Sequence, residues 1–576
     1  MSANDFVPTE QQRTIICHDG HAFIQACPGA GKTRTMVERA RRLLNDRQDL
    51  RGVAFLSFTN AAVNELETRL RTLEVLPTPL FPNFIGTFDS FLWQFFIAPF
   101  GIEGSKSPPR LVPDKSKWEV KPFDGAHALK LEHFDRQTGK VLSKEVTKDG
   151  FNPRYGSTAW ETAAQNLISR SIEDGLLDFD DVRACVSKRL AQKPFANRLG
   201  AALAGRFREI VVDEAQDCNP ADLDIVKWLR SSGIMTKVIC DPQQAIYRFR
   251  GGLTDELESF QDTFEAHERL PMSGNFRSSP AICAAISQLR PPAFRSAVDT
   301  PLGCYKGNTT PVHILAYDGI RVPEVIGTRF HKLTQELGIL PASAPVLAST
   351  LSSAGNAIGL AIAEPSNHKT LIFAEAVMRI HLAFAIGRQR EALAHLHRSV
   401  LSVRGHISHL SDYSSHVTKQ NLSDGKWRPS IIEIGQKLRL RDNEKADQWL
   451  QRAHKLLDVD LIGNATIKQR LKYTTELPGI LALTAPTAMS ARTIHSVKGL
   501  EFPAVCVVLT VPKTGGILDV LRGASSDADK VEDARKIYVA ASRAERLLVM
   551  AVPKSQASAL CALLNAGGHA VRLDEL

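Results

Sequence analysis

The sequence predicts an α/β protein built on parallel, doubly wound sheets, and two repeats of one local pattern carry that prediction. An apolar stretch, Ala22 to Ala26, is typical of a buried strand, and apolar residues recur at helical spacing over residues 36–44. The stretch Val53–Phe58 is likewise followed by apolar side chains on one helix face, Val63, Leu66, Leu70 and Leu73. Strands that alternate with amphipathic helices are typical of a parallel sheet covered by helices.

Length and composition indicate a folded protein of several domains. The chain has 576 residues, 43% of them hydrophobic, which corresponds to about three to four domains of ordinary size. Its formal net charge of +9 favours a polyanionic partner, although a basic protein without a nucleic-acid role is equally compatible with that charge.

Several classes of protein are not expected from this sequence. No apolar run reaches the ~18 residues that span a bilayer, so we expect no membrane partner, and the first residues do not resemble a secretion signal. The nine cysteines form no CxxC pair, so neither a zinc ribbon nor an iron–sulfur cluster is expected. A reducing cytoplasm is the expected location.

A glycine-rich loop separates the first strand from its helix. It consists of Ala26, Cys27, Pro28, Gly29, Ala30, Gly31, Lys32 and Thr33. Glycines let backbone N–H groups turn toward phosphate oxygens, and the start of the following helix adds its positive end. Lys32 would neutralise phosphate charge and Thr33 would ligate Mg²⁺. Ala26 stands where the general pattern has glycine, but the strand–loop–helix order favours a phosphate loop over a chance turn.

An acidic segment at the end of a β-branched strand provides the partners that such a loop needs. In the segment Glu209–Asp217, Asp213 would hold Mg²⁺ and Glu214 could polarise an attacking water as a general base. Asn219 and Pro220 then predict the N-cap and first position of the next helix. An acidic turn without catalytic function is the alternative, and the phosphate loop makes it the weaker one.

Together these segments resemble superfamily 1 helicases of the UvrD/Rep type. Further segments resemble that family's motifs in the family's order: Pro8–Gln12 (Q motif), Phe55–Ala62 (Ia), Gly86–Phe91 (Ib), Cys240–Gly251 (III), Asn275–Ser278 (IV), Thr493–Phe502 (V) and Tyr538–Ala544 (VI). Each later motif is weak alone, but the ordered set is specific and spans most of the chain.

The chain departs from the family pattern at a few positions. Asp89 stands where histidine is usual in motif Ib, Phe249 stands where tryptophan is common in motif III, and Ala534 replaces an arginine before motif VI. Pro242 and Gln243 replace an acidic pair. None of these changes removes a group that hydrolysis needs, but Asp89 puts a DNA-backbone contact in doubt because a carboxylate repels phosphate.

The resemblance implies that ATP and Mg²⁺ bind between two RecA-like P-loop NTPase domains. The catalytic candidates are Lys32, Asp213, Glu214 and Gln244 in the first domain and Arg277 and Arg543 in the second, with Thr33 and Asp213 at the metal. The arginines would reach the γ-phosphate, and a surface salt bridge is the alternative for each. The other nucleotide candidates are Gln11 at the adenine edge, Phe276 stacked on the adenine, Glu501 at the ribose, and Arg34 and Arg250 in support.

The resemblance also implies a track for single-stranded DNA. Aromatic side chains at Phe58, Tyr247 and Phe249 would stack on bases, an interaction that tolerates any sequence. Contacts to sugar and phosphate would come from Asn60, Thr87, His495 and Lys498. For the aromatic residues, packing in the protein core is the alternative interpretation.

The motifs predict a domain organisation with two insertions. RecA-like domain 1A is expected over 1–90 and 165–270 and domain 2A over 271–354 and 480–576, with mainly helical subdomains 1B over 91–164 and 2B over 355–479. The predicted strands of 2A are Val312–Ala316, Val346–Ala348, Ala504–Leu509 and, as the terminal strand, Leu547–Val552. Because few residues follow motif VI in this sequence, no nuclease domain is expected after it.

The predicted 2B segment is the most basic part of the chain. Residues 355–479 hold 18 Lys and Arg against 12 Asp and Glu, a difference of +6 within a net charge of +9 for the chain. That charge suits a surface against duplex DNA, and a solvated helical face is the alternative. Its histidines, including His395, His397, His406 and His409, are interpreted as core or surface residues rather than metal ligands.

The resemblance implies an ATP-dependent 3′-to-5′ translocase or helicase acting on single-stranded DNA and on single-strand/duplex junctions. The direction comes from the resemblance alone. A second hypothesis is a nucleotide- and DNA-sensing ATPase subunit that regulates a partner nuclease. The short 1B and 2B insertions of this chain resemble the compact build of the helicase subunit in Gabija-type anti-phage systems. An RNA motor is a third, poorer match.

Overall fold

The computed structural model describes residues 7–45, 49–112, 115–116, 118–123, 126–142, 157–246, 254–295, 299–359, 369–385, 389–407, 413, 416–417, 420, 424–441, 443–461 and 489–576. The chain divides into two compact units. The first comprises Met1–Ala26 and Gly31–Met272, and the second comprises Ser273–Leu576 with the short loop Cys27–Ala30. In the described ranges, no helix is long and apolar enough to cross a membrane.

A six-stranded parallel sheet forms the centre of the first unit. Its strands are β1 (Ala22–Ala26), β2 (Gly52–Ser57), β3 (Phe84–Thr87), β4 (Phe207–Val212), β5 (Met235–Cys240) and β6 (Arg269–Met272). They lie side by side in the order β6-β1-β5-β4-β2-β3, and every neighbouring pair is parallel. The α/β class with parallel sheets is therefore confirmed.

Helices connect these strands, because a parallel pair needs a crossover. The helices of the first unit are Glu10–Cys17, Lys32–Asn45, Asn60–Thr72, Phe88–Leu92, Thr158–Glu173, Phe179–Leu190, Lys193–Arg206, Pro220–Ser231 and Thr254–Gln261. The predicted helix after β2 ends at Thr72, and Leu73 is its C-cap. Asn219 caps the helix Pro220–Ser231 as predicted, since its side chain accepts from the Asp222 N–H at 2.9 Å.

The described part of the insertion in the first unit combines helical segments with short strands. Short strands at Arg110–Leu111 and Leu176–Leu177 pair in parallel, and strands at Glu119–Val120 and Leu129–Lys130 pair antiparallel. Within the described part of 91–164, a long helix begins only at Thr158. The short apolar segments around Val120, Leu129, Leu131 and Phe134 pack in one small core with Ala164 and Ile168 of the helix Thr158–Glu173.

A buried ion cluster joins this insertion to the helix Phe179–Leu190. Asp178 caps that helix through a capping box with Asp181. The fully buried ammonium of Lys115 pairs with Asp181 and donates to the Ser171 hydroxyl at 2.8 Å, and Arg136 pairs with Asp178 at 3.0 Å. The Asp178 and Asp181 carboxylates are therefore occupied by helix capping and by cations from the same unit.

A second six-stranded parallel sheet lies in the second unit. Its strands are β7 (Val312–Tyr317), β8 (Val346–Ala348), β9 (Ala491–Thr493), β10 (Phe502–Val508), β11 (Ala544–Pro553) and β12 (Val571–Glu575), in the order β9-β8-β10-β11-β7-β12. The prediction of Leu547–Val552 as the terminal strand was wrong, because β12 follows it and pairs with β7. The segment Val571–Glu575 is polar and lies at the edge of the sheet, so it lacks the apolar run that marks the central strands.

The helices of the second unit complete this layer structure. They are Pro280–Gln288, Val325–Glu336, Leu351–Asn356, Lys369–Ala385, Gln389–Val403, Asp424–Lys437, Ala446–Leu457, Val511–Leu521, Ala528–Ala541 and Lys554–Asn565. Four of them, from Lys369 to Leu457, fall within 355–479 and confirm that this segment is helical where it is described. They enclose a hydrophobic cluster separate from that beneath the sheet.

Trp449 is the largest fully buried side chain in the cluster of these four helices. It is fully buried, it contacts Phe373, and its indole N–H donates to the Leu438 carbonyl at 2.8 Å. Because a separate cluster can loosen without the sheets, we expect Trp449→Ala to cost about 3–5 kcal/mol of local stability. Limited proteolysis should then cut between residues 369 and 457 at a lower protease concentration.

Trp449→Phe is the matched control, since it keeps most of the apolar volume and loses the hydrogen bond. We expect a smaller loss for it, about 1 kcal/mol. Uniform loss of protease resistance across the whole chain in Trp449→Ala would contradict an independent cluster.

Candidate nucleotide and nucleic-acid site

The glycine-rich loop follows β1 at the carboxyl edge of the first sheet. Gly29 and Gly31 have φ angles of 71° and 75°, in the left-handed region that side chains other than glycine rarely adopt. The helix Lys32–Asn45 begins directly after the loop, and the Thr35 N–H donates to the Gly31 carbonyl at 2.9 Å. The loop therefore has the two features of a phosphate site, turned backbone amides and a helix N-terminus.

The acidic segment meets the loop because β4 and β1 are separated only by β5. The Asp213 N–H donates to the Leu56 carbonyl at 2.8 Å, which ties the end of β4 to β2. Glu214 has a φ of 57°, an uncommon angle for a residue with a side chain. The Glu214 carboxylate accepts from the Lys32 ammonium at 3.0 Å. The residues expected to bind phosphate and to activate water are thus brought into contact.

Charges at this edge shift the pKa values of their neighbours. Burial favours the neutral amine of Lys32, but the Glu214, Asp213 and Asp241 carboxylates outweigh it and raise the pKa of Lys32. Burial and the neighbouring Glu214 raise the pKa of Asp213 to about 6, although Lys32 opposes the shift. Lys32 therefore stays charged, while the Asp213 carboxylate is held in surroundings that a further cation would stabilise.

Gln216 connects the acidic segment to the next strand end, and sequence reasoning missed it. Its side-chain oxygen accepts from the Asp241 N–H at 3.1 Å, and its amide N–H group donates to the Glu214 carboxylate. The Gln244 amide donates to the Asp241 carboxylate at 2.8 Å. The predicted residue Gln244 is therefore buried and held through Asp241. The sequence signal for Gln216 is its position between the carboxylates Glu214 and Asp217, although its side chain is an amide and not an acid.

The two residues expected to hold Mg²⁺ border one small cavity. Thr33 and Asp213 line a cavity of about 30 Å³ beside β2 and β4, together with Ser57 and eight apolar residues. The Ser57 hydroxyl is buried and has no hydrogen-bond partner among the described residues. Hydroxyl and carboxylate oxygens are ligands that Mg²⁺ accepts, together with waters and phosphate. The donor groups of Thr33 and Asp213 therefore fit a magnesium ion, and Ser57 is a further polar group that sequence reasoning missed.

The two predicted arginines lie in the second unit and share a neighbour. Arg277 donates to the Ser542 carbonyl at 2.8 Å and pairs with the Glu501 carboxylate. Arg543 is buried, and its guanidinium donates to the Ser542 hydroxyl at 3.1 Å and to the Val539 carbonyl at 3.0 Å. The structure thus brings Arg277, Arg543 and Glu501 together.

Motifs IV and VI of the second unit are joined by hydrogen bonds. The Asn275 side-chain oxygen accepts from the Arg277 and Ser278 N–H groups, both at 2.9 Å, and fixes the turn. The Ser278 hydroxyl donates to the Ala544 carbonyl at 2.7 Å, and the Ser279 N–H donates to the Glu545 carbonyl at 2.9 Å. These bonds hold the two arginines in one rigid framework, with Phe276 half-buried beside them.

Three further nucleotide candidates, Gln11, Arg34 and Glu501, are at least partly exposed in the structure. Gln11 is half-buried in the first turn of the helix Glu10–Cys17, while Gln12 closes a capping box with Thr9. Arg34 is half-buried and pairs with Glu38 at 3.4 Å. Glu501 is half-exposed and pairs with Arg277.

The candidate DNA residues of the first unit follow two adjacent strands, β2 and β3. Phe58 is half-buried and stacks on the buried Phe88 ring, with centroids 5.4 Å apart. One face of Phe58 is therefore committed to the core. Asn60 is exposed, and the Thr87 hydroxyl caps a helix by accepting from the Ser90 N–H at 3.1 Å. In the second unit His495 and Lys498 are half-buried around the turn after β9.

Asp89 is paired with a buried cation. Its carboxylate lies 2.7 Å from the Arg183 guanidinium, which also pairs with Asp222 at 2.7 Å. Burial opposes the charge on Arg183, yet Asp222 and Asp89 outweigh it and raise the pKa of Arg183. Much of the negative charge that put a phosphate contact in doubt is thus balanced within the protein. Four predicted residues, Tyr247, Phe249, Arg250 and His409, lie outside the described residues.

Comparison with known proteins assigns this architecture to a family. Residues 8–265 match the UvrD/REP helicase N-terminal domain, and residues 480–555 match the UvrD-like helicase C-terminal domain. The chain belongs to the UvrD-like helicase family. Its two parallel sheets are accordingly the RecA-like folds of a UvrD-like helicase, as the sequence motifs predicted.

Individual relatives are distant. The ATP-dependent DNA helicase PcrA of Staphylococcus aureus is 27% identical over 337 residues, which cover 54% of this chain and 43% of PcrA. The putative ATP-dependent DNA helicase YjcD of Bacillus subtilis is 21% identical over 628 aligned positions, covering 95% of this chain and 79% of YjcD. This UvrD-like chain thus matches less than half of the length of PcrA.

Glu214→Gln tests the pair at the phosphate loop of this UvrD-like chain. The amide keeps the shape of the side chain but cannot accept a proton, so we expect ATP hydrolysis to fall about 10²–10⁴-fold. Nucleotide binding should persist, because Lys32 loses an anionic partner and stays available to phosphate. Steady-state hydrolysis and equilibrium binding of a fluorescent ATP analogue measure the two effects.

Glu67→Gln is the matched control, since Glu67 pairs with Arg71 on an exposed helix face. It should leave both measurements unchanged. Equal loss of binding and hydrolysis in Glu214→Gln would contradict the assigned role.

Proposed function

We propose that this chain is an ATP-dependent translocase or helicase that moves 3′ to 5′ along single-stranded DNA and unwinds duplexes at single-strand/duplex junctions. One observation carries the proposal: the Lys32–Glu214 pair at 3.0 Å stands beside Asp213 at the carboxyl edge of a parallel sheet. That edge is where α/β sheets bind their ligands. The names of the relatives PcrA and YjcD as DNA helicases support the choice of DNA.

The first unit would bind the triphosphate and prepare water for attack. Backbone amides of the glycine-rich loop and the Lys32 ammonium bind the phosphates, so Lys32 exchanges Glu214 for a phosphate oxygen. The released Glu214 carboxylate then accepts a proton from the attacking water, held in place by the Gln216 amide. Gln244 would sense the γ-phosphate from its position on Asp241. Thr33 and Asp213 would hold Mg²⁺, which neutralises charge on the phosphates.

The second unit would supply positive charge to the transition state. Arg277 and Arg543 are prepositioned by Ser542 and by the hydrogen bonds between motifs IV and VI. An arginine that reaches the γ-phosphate contributes about 10³–10⁵ in rate. We propose that hydrolysis therefore waits for these arginines to engage the nucleotide, which couples each turnover to a domain movement. Gln11 and Phe276 would bind the adenine, Glu501 the ribose, and Arg34 and Arg250 would support the site.

The DNA strand would cross the carboxyl edges of both sheets. Base stacking is proposed for Phe58, Tyr247 and Phe249, and contacts to sugar and phosphate for Asn60, Thr87, His495 and Lys498. The partial exposure of Phe58 and the exposed side chain of Asn60 support this role in the first unit. Stacking contributes about 1–3 kcal/mol per base without sequence preference, as a motor on any sequence requires.

The motif positions of the family would divide the chain into four parts. We propose domain 1A over 1–90 and 165–270, subdomain 1B over 91–164, domain 2A over 271–354 and 480–576, and subdomain 2B over 355–479. The helical cluster around Trp449 supports a separate folding unit within 355–479. Its basic charge suits contact with duplex DNA ahead of the motor.

A cytoplasmic role in DNA metabolism or in anti-phage defence is compatible with these features. No disulfide joins any of the nine cysteines, all of which lie in described ranges, and this supports a reducing compartment. The alternative function is a nucleotide- and DNA-sensing ATPase subunit that regulates a partner nuclease. Both functions use the same ATP hydrolysis, but in the alternative the nucleotide state controls a nuclease instead of driving movement along DNA.

Lys32→Ala tests the main proposal. Removing the ammonium should lower both DNA-stimulated ATP hydrolysis and unwinding of a 3′-tailed duplex by more than about 10²-fold. Wild-type hydrolysis should rise several-fold on adding single-stranded DNA and fall steeply as salt increases. The measurements are phosphate release with and without DNA, and strand separation of fluorescent duplexes carrying a 3′ or a 5′ tail.

Arg69→Ala is the control, because Arg69 is an exposed residue paired with Glu65 on a surface helix. It should match the wild type. ATP hydrolysis that does not respond to DNA would contradict a motor on DNA. DNA-stimulated hydrolysis without strand separation, together with co-purification of a nuclease, would favour the regulatory alternative.

A further inference from the structure

A second charged cluster lies within the first unit, beneath the helix that carries Gln11. Arg39, Glu209 and Lys237 are each fully buried. Lys237 stands in the middle of β5, flanked by Ala22 of β1 and Val211 of β4. A lysine at the centre of a parallel sheet is unusual, because such strands are buried on both faces.

Both cations of this cluster bind the same end of one helix. Arg39 donates to the Ile15 and Ile16 carbonyls, each at 3.0 Å, and Lys237 donates to the His18 carbonyl at 3.0 Å and to the Gly20 carbonyl. The Ile15 and Ile16 carbonyls lie in the last turn of the helix Glu10–Cys17, and the His18 and Gly20 carbonyls lie in the segment that follows it. The last carbonyls of a helix have no partner within it and carry the negative end of its dipole.

The charges of the cluster are matched to this task. Both Nε and the terminal nitrogen of Arg39 donate to the Glu209 carboxylate, so the guanidinium is neutralised while it holds the two carbonyls. Burial, and after it the charge of Arg39, lowers the pKa of Lys237 to about 7. A neutral amine still has two N–H donors, which equal the two carbonyls that it contacts. The contacts therefore persist on either side of neutral pH.

Every element that contributes to the cluster continues to the phosphate site. Arg39 lies in the helix that begins with Lys32, Glu209 lies in the strand that ends before Asp213, and Lys237 lies in the strand that ends before Asp241. The helix Glu10–Cys17 also carries Gln11 in its first turn. The cluster thus links the candidate base-reading helix to the elements that hold the phosphates.

We propose that Arg39, Glu209 and Lys237 are positioning residues that set the helix of Gln11 at a fixed distance from the phosphate loop, so that the site selects adenine. This inference rests on the proposed function, because it concerns how the same site recognises ATP. The competing explanation is a buried ion cluster that stabilises the unit without affecting base selection.

Lys237→Met in the full chain separates the two explanations. Methionine keeps the length and apolar volume of the side chain but removes both hydrogen bonds to the helix end. We expect the KM for ATP to rise about five- to tenfold, as for loss of one ordinary hydrogen bond, with kcat changed by less than about twofold. The preference for ATP over GTP in kcat/KM should fall by the same factor.

Inhibition of ATP hydrolysis by inorganic tripolyphosphate distinguishes a positioning role from a purely structural one, because structural damage would weaken this inhibition. It occupies the phosphate loop without a base, so its inhibition of ATP hydrolysis should be equally strong in the wild type and in Lys237→Met. Asp19→Asn is the matched control, because it removes an exposed ion pair with Arg42 at the same helix end. That variant should keep the wild-type KM and nucleotide preference.

Arg39→Lys is the second variant in case Lys237→Met fails to fold. It retains a cation beside Glu209 but loses the planar fork that reaches the Ile15 and Ile16 carbonyls, and it should show the same selective loss for ATP. An unchanged ATP-to-GTP preference, or a parallel weakening of tripolyphosphate inhibition, would overturn the inference. Absence of ATP hydrolysis in the wild type would instead refute the proposed function itself.

Discussion

The ion pair between Lys32 and Glu214 is the contact on which the site of the first unit depends. It requires that the strands before the two residues share one edge of a sheet, which the order β1-β5-β4 provides. It also requires two unusual backbone conformations, at the loop glycines and at Glu214. The pair keeps a partly buried ammonium and a partly buried carboxylate compensated, and in the proposed mechanism phosphate takes the place of the carboxylate.

The second unit holds Arg277 and Arg543 with hydrogen bonds to neutral groups, together with one ion pair from Arg277 to Glu501. Under the proposed function, these two arginines would meet the charge that develops on the γ-phosphate. Arg543 contacts a hydroxyl and a backbone carbonyl, and Arg277 contacts a backbone carbonyl in addition to Glu501. Neutral acceptors fix the direction of a guanidinium while leaving its charge available. The turn at Asn275 orders the first segment, and the bonds from Ser278 and Ser279 to Ala544 and Glu545 join it to the second.

Sequence reasoning found the residues whose chemistry repeats at fixed spacing, and it missed those defined by three-dimensional position. Lys32, Asp213 and Asn219 follow from glycine spacing, a strand end and a capping pattern, all of which are local. Gln216, Ser57 and Lys237 owe their interest to neighbours far along the chain, such as Asp241 and the carbonyls of residues 18 and 20. The edge strand Val571–Glu575 was missed for the same reason, since pairing with β7 compensates for its polar composition.

The bridge from Asp89 through Arg183 to Asp222 has an evolutionary consequence. The Arg183 guanidinium is shared by two carboxylates, of which Asp222 is the buried one, so compensation of both acids depends on Arg183. Replacing Asp89 with the histidine usual in its family would leave a one-to-one pair of Arg183 and Asp222, whereas replacing Arg183 alone would leave two neighbouring carboxylates without this cation. Positions 183 and 222 should therefore be exchanged together between homologous chains, while position 89 can change by itself. A chimera that imports only one residue of the 183–222 pair would inherit an uncompensated charge that neither parent contains.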